Sequence, residues 1–171
     1  METRFERVGI TSVLRRYYVG AFGGVAMTVP APRRATEADI AACAAVVNGW
    51  IDGTDWMDRD VAPEEIERMI REAFPAREMW VIGEPVAGYM SVDPAEAKVG
   101  ALYCEVTGQG YGKALLDAAK AGREALWLST HVPNTAAHRF YEREGFAKTG
   151  DLPQEEGPDE IRMAWRREGA S

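Results

Sequence analysis

Two hydrophobic periods alternate along the chain. The run "TEADIAACAAVVNGWI" spaces Ile40, Cys43, Ala44, Val47 and Ile51 along one face of a helix. Thr36, with Asp39 three residues later, has the form of a capping box at its start. "GTDWMDRDVA" keeps neither period and predicts a loop. "PEEIERMIREAF" predicts a second helix, with Pro63 in its first turn and acids beside it.

From Glu78 the period shortens. "EMWVI", "VAGYMSV" and "VGALYCEV" predict short strands, with turns at Gly83–Pro85 and Asp93–Lys98. "GYGKALLDAAKAGR" predicts a helix, "ALWLST" (Ala125–Thr130) a strand, and "TAAHRFYEREG" a helix ending at Gly145. "FAKTG" and "DEIRMAWRR" predict closing strands. The order α-α-β-β-β-α-β-α-β-β implies an α/β (α+β) fold. Consecutive strands predict antiparallel hairpins, and the helix crossovers after the third strand predict parallel neighbours. A mixed sheet with helices on both faces is expected.

Composition narrows the function. The 171 residues are enough for a proper core, and 46% apolar with 27% charged residues fits a globular protein rather than a disordered one. The net charge is −7, and because residues 1–27 carry four Arg against two Glu, the remainder carries −9. Nucleic acid is therefore not an expected partner. Residues 1–27 have a weak apolar run broken by Gly20, Gly23 and Gly24, too short for a membrane helix. They read as an extension upstream of a natural start at Met27, with residues 28–171 as the functional domain. No membrane association and a cytoplasmic location are expected. Cys43 and Cys104 lack CxxC spacing and read as buried thiols. His131 and His138 lack companion ligands, so no metal site is expected.

The chemistry concentrates at "LYCEVTGQGYGKALLDAAK", where Gly108, Gly110 and Gly112 stand between a strand and a helix. A Walker A loop would need Gly at Thr107 and a hydroxyl at Ala114, and neither is present. The even spacing of the glycines also fails the dinucleotide pattern Gly-x-Gly-x-x-Gly. A third template fits better. Thr107-Gly108-Gln109-Gly110-Tyr111-Gly112 resembles the Gln/Arg-x-x-Gly-x-Gly/Ala loop of the GCN5-related N-acetyltransferase (GNAT) superfamily. Further on, "NTAAHRFYEREGF" resembles its second signature through Asn134, Ala137, Phe140, Tyr141, Glu142, Gly145 and Phe146. The two motifs occur in the family's order with a strand between them, and the resemblance covers about Arg33 to Trp165.

The resemblance implies a GNAT-like fold, acetyl-CoA as cofactor, and direct attack of a primary amine on the acetyl thioester. It implies that the amides of Gln109 to Lys113, at a helix N-terminus, face the coenzyme's diphosphate. It also implies that the strand carrying Leu102 splays from "ALWLST", exposing main chain from Leu102, Tyr103 and Cys104 to Val106 for the pantetheine arm. Tyr141 matches the family's general acid. Asn134 matches a cofactor-contacting position and is also a natural helix cap. Thr107 departs from the usual Gln or Arg, and the loop is about two residues short, which places cofactor affinity rather than identity in question.

Glu105, at the strand end, is the first candidate base, with Asp93 and Asp55 as alternatives beside a water chain. Trp50, Asp55, Trp56 and Met57 are expected to line the acceptor site. The acidic run with Asp151, Glu155, Glu156, Asp159 and Glu160 reads first as a solubilising loop, and second as an attractant for an amine. A small-molecule amine is the expected partner, and the family makes a homodimer possible. Acetylation of a protein lysine or N-terminus, or acyl-CoA binding without catalysis, are the competing readings.

Overall fold

The computed structural model describes residues 28–169; the expected extension at residues 1–27 lies outside them. The sheet strands are β1 (Arg33–Arg34), β2 (Glu78–Ile82), β3 (Gly88–Asp93), β4 (Lys98–Cys104), β5 (Ala125–His131), β6 (Ala147–Leu152) and β7 (Glu160–Arg166). The helices are α1 (Ile40–Asp52), α2 (Pro63–Ala73), α3 (Tyr111–Lys120) and α4 (Thr135–Arg143). A 3-10 turn at Glu37–Asp39 leads into α1. There the Asp39 carboxylate accepts hydrogen bonds from the Thr36 amide and hydroxyl. It also takes both Arg33 guanidinium nitrogens at 2.8 Å, and that bidentate bond holds the carboxyl well below the usual carboxylate range.

The seven strands lie in the order β1-β2-β3-β4-β5-β7-β6. All neighbours are antiparallel except β4 and β5. The α3 crossover thus makes a parallel pair, as expected, but the α4 crossover does not, because β7 inserts between β5 and β6. The hairpin β6–β7 adds through its second strand, which lets β7 run along the whole of β5 from Ala125↔Arg166 to His131↔Glu160.

Two apolar clusters hold the layers. On one face α1 and α2 bury Ile40, Val47, Ile66 and Ile70 against Val81, Tyr89, Ala101 and Tyr103. No residue of β5, β6 or β7 belongs to that cluster. On the other face α3 and α4 bury Leu115, Leu116, Phe140 and Tyr141 against Leu102, Leu128, Ile161 and Met163. The alternation of β4, with Tyr103 to one face and Leu102 to the other, serves both. Where α1 and α2 do not reach, Lys98 and Arg162 lie over the Trp127 ring at 4.7 and 4.3 Å.

Cys43 and Cys104 are both free and buried, and burial pushes each thiol up to about 12. Neither forms appreciable thiolate at neutral pH. An aromatic disulfide reagent is accordingly expected to titrate essentially no thiol in the native protein within minutes, and both thiols once it is denatured. Among the described residues no helix is long and apolar enough to cross a membrane.

Candidate active site

The site begins where the sheet opens. β4 and β5 pair in register only at Lys98↔Trp127, although β4 continues to Cys104 and β5 to His131. Beyond that pair the strands diverge and leave a slot. The Glu105 amide donates to Ala87 O at 2.8 Å, towards β3. By alternation, the main-chain groups of Leu102 and Cys104 point the opposite way, into the slot. The strands diverge as expected, and of the named main-chain groups those of Leu102 and Cys104 face the slot, whereas those of Tyr103 share the side of Glu105 and face β3.

At the slot's end the chain turns into α3. Gly108 and Gly110 have φ of +74° and +80°, a left-handed backbone that glycine adopts without a Cβ penalty. Gly110 caps α3, and Ala114 N donates to Gly110 O at 3.0 Å, so the amides of Tyr111, Gly112 and Lys113 lie ahead of the helical ladder. Gly108, Gln109 and Gly110 are exposed, and Thr107 is half-buried. Gly112 has a different job. A Cβ there would stand 3.0 Å from Phe140 Cζ, so its bareness lets α3 pack on α4. The Lys113 ammonium pairs with Asp117 at 2.7 Å on the helix surface.

On the α3/α4 face of the sheet, α4 carries Tyr141, fully buried, with its ring 5.1 Å from Phe140 and 5.6 Å from Phe146 between centroids. Asn134 caps α4, its side chain accepting from Ala137 N at 3.2 Å. It also lines a cavity of about 290 Å³ between the α1–α2 loop and the β5–α4 turn. Trp50, Gly53, Thr54, Asp55 and Trp56 form the other wall. Three of the four expected acceptor residues therefore meet at one cavity. Met57 does not; it packs against the α1–α2 core, because the loop's turn sends its apolar side chain inward.

The candidate bases separate. Glu105 is exposed just beyond β4. Asp93 pairs with Lys98 at the opposite end of β4, where it bridges to Arg77 at 3.3 Å, about 20 Å of strand from Cys104. It has no access to the slot. Asp55 lines the cavity rim. Of the acidic run, Asp151, Glu155, Glu156 and Asp159 are exposed, but Glu160 is not part of the loop. It opens β7, is 5% exposed, and stands opposite His131. By alternation His131 falls on the face of Trp127 and Ser129, four and two residues earlier, and Glu160 on that of Arg162.

An aromatic arc closes the acceptor side. Tyr103 on β4 meets Trp50 at 5.5 Å, Trp50 meets Trp56 at 5.9 Å, and Trp56 meets His131 on β5 at 5.5 Å, all edge-on. The arc bridges the two diverging strands.

A parallel pair that opens into a slot, followed by a glycine loop feeding a helix N-terminus, is the arrangement that the sequence resemblance implies. A family model described as Acetyltransferase (GNAT) domain matches residues 75–148, which span β2 to β6. That match gives residues 75–148 a GNAT acetyltransferase domain. Solved structures share the fold. One is yncA from Salmonella typhimurium with its cofactor acetyl-CoA (24% identity, TM-score 0.61, covering 84% of this chain and 98% of that one). Another is ribosomal-protein-alanine N-acetyltransferase from Brucella melitensis (22%, 0.62, 80% and 99%). A third is a chimera of Vibrio cholerae spermidine N-acetyltransferase SpeG (15%, 0.58, 81% and 96%). No curated protein sequence matches. The named acceptors of these relatives differ, so the fold alone does not select one.

Proposed function

We propose that the protein transfers the acetyl group of acetyl-CoA to a primary amine of a small molecule. The observation that carries this reading is the cavity of about 290 Å³ walled by Trp50, Trp56 and Asn134 on the acceptor side of the slot. That volume suits a compact ligand.

The residues fit the donor. Positive-φ Gly108 and Gly110 present bare backbone beside the N-terminus of α3. Gln109, Tyr111, Gly112 and Lys113 would hold the diphosphate through their amides, aided by the positive end of the helix dipole. Main chain of Leu102, Cys104 and Val106 would take the pantetheine amides along the slot. When bound, acetyl-CoA supplies the thioester carbon that the amine attacks. With the donor bound, Tyr141 Oη would supply the proton for the leaving sulfur and would regain one from the acceptor nitrogen, ending each turnover as it began. The α4 cap made by Asn134 fixes the first turn of the helix that carries Tyr141.

The test is a thiol-release assay across a panel of primary amines and lysine-bearing peptides. Free thiol is expected with compact amines and not with the peptides. Peptide acetylation alone would establish a protein acceptor. Stoichiometric acetyl-CoA binding without thiol release from any acceptor would make the chain a binding module, a role to which Thr107 and the short loop would then be the clue.

A further inference from the structure

His131 and Glu160 form a buried acid–imidazole pair that the glycine loop and Tyr141 leave unused. They are cross-strand partners at the open end of β5 and β7, with side chains 5% and 6% exposed and His131 Nδ1 3.6 Å from Glu160 Oε1. Neither ring nitrogen makes a well-aligned hydrogen bond, and the Pro158 carbonyl is the backbone acceptor beside the ring. A buried polar atom in that state costs stability. At the far end of the aromatic arc, the Tyr103 hydroxyl is buried in the same condition. The arc thus begins and ends on polar atoms with capacity to spare, one on each strand that borders the slot. Trp56 connects the two regions: it lines the acceptor cavity and packs edge-on against the His131 ring.

We infer that His131, supported by Glu160, is the base that takes the proton from the acceptor's ammonium on the acceptor side of the slot. This rests on the acetyl-transfer reading above. The Glu160 carboxylate favours the tautomer with its proton on Nδ1, which leaves the Nε2 lone pair to accept. One N–H bond of the ammonium breaks, its electron pair stays on the amine nitrogen for attack, and the proton forms a new bond to Nε2. The imidazolium is then balanced by the Glu160 carboxylate, and the proton leaves to solvent before the next turnover. Trp56, 37% exposed, is the side chain whose rotation admits amine or a relaying water to the ring.

The electrostatic surroundings agree. Burial lowers the His131 pKa, while Glu160 and the Pro158 carbonyl oppose that fall, so the ring is neutral and able to accept at neutral pH. The other charged or titratable groups around it are few. Arg162 lies two residues from Glu160 on the same face of β7, and Asp55 lies at the cavity rim beside Trp56. On α4, His138 Nε2 is 3.0 Å from the His131 carbonyl oxygen.

The test uses the full chain labelled with 15N-histidine, in which His138→Gln assigns the two imidazoles. His131 is expected to titrate below the ordinary histidine range as the Nδ1–H tautomer, and Glu160→Gln is expected to move it lower still. In kinetics, the acid limb of kcat/KM for the amine should follow the same value and shift to lower pH in Glu160→Gln. His131→Asn should cut kcat/KM about 100-fold, with acetyl-CoA affinity held within about twofold of wild type by tryptophan fluorescence. An acid limb that does not move in Glu160→Gln, or a folded His131→Asn with wild-type kcat/KM, overturns the assignment. If His131→Asn fails to fold, the Glu160→Gln limb and titration decide. A wild type that binds no acetyl-CoA fails at the earlier step, and that failure belongs to the acetyl-transfer reading.

Discussion

Tyr141→Phe is expected to lower kcat roughly 100- to 1,000-fold, the range for loss of a positioned general acid, while the dissociation constant for acetyl-CoA stays near wild type. The ring contacts with Phe140 and Phe146, at 5.1 and 5.6 Å, do not involve the hydroxyl, so Phe preserves them. Stability should change by no more than about 1–2 kcal/mol, the scale of one buried hydroxyl. Single-turnover kinetics with saturating acetyl-CoA, beside a thermal melt, separates the two quantities. A normal kcat would remove Tyr141 from the chemistry and leave it as core. Tyr141→Ala would not serve, because it would also open a cavity in the cluster that joins α4 to the sheet.

Gly112→Val should have the largest structural effect of any substitution in the glycine loop. Even the Cβ of alanine would sit 3.0 Å from Phe140 Cζ and 3.4 Å from Cε2, and valine adds two further carbons. Overpacking of this kind costs about 1–3 kcal/mol. If the α3 amides hold the diphosphate as proposed, pushing α3 off α4 should also raise the acetyl-CoA dissociation constant about tenfold, equivalent to about 1.4 kcal/mol. Phe140→Ala in the same chain should recover part of both losses, giving a coupling above about 0.5 kcal/mol in a double-mutant cycle. Gly108→Ala is the contrast. Nothing lies within 4 Å of a Cβ at Gly108, and its difficulty is the φ of +74° alone. Its loss should be indifferent to Phe140. Equal coupling at both positions would mean that Gly112 serves ligand approach rather than helix packing.

The order of elements was legible because each long element carries its own period and its own punctuation. Thr36 and Asp39 mark the start of the first helical region, Pro63 opens α2, and Gly145 closes the α4 region. β1 was not legible: Arg33 and Arg34 have no apolar pattern, and they count as strand only through register with Val81 and Trp80. The place of β7 was equally hidden, since a hairpin can join a sheet by either arm and only burial of Ile161 and Met163 beside Leu128 decides. Around the slot, Asn134, Tyr141 and the glycines are marked by motif. The burial of Glu160 was not legible because charge density around "QEEGPDE" makes it resemble its exposed neighbours. Its pairing with His131 was not legible because the two lie on strands more than twenty residues apart.

The slot between β4 and β5 has one more consequence. Its walls are sheet edges turned inward, where an incoming amide chain finds backbone partners already aligned and no strand has to move to receive it. Such a ligand acts as a missing rung of the sheet and ties together the two ladders that now meet at a single position. The apolar cluster under α3 and α4 already spans both sides of the slot, so a bound donor would add to that join rather than create it. At a hundredfold excess over its dissociation constant, acetyl-CoA should add about 2.7 kcal/mol to the folded state.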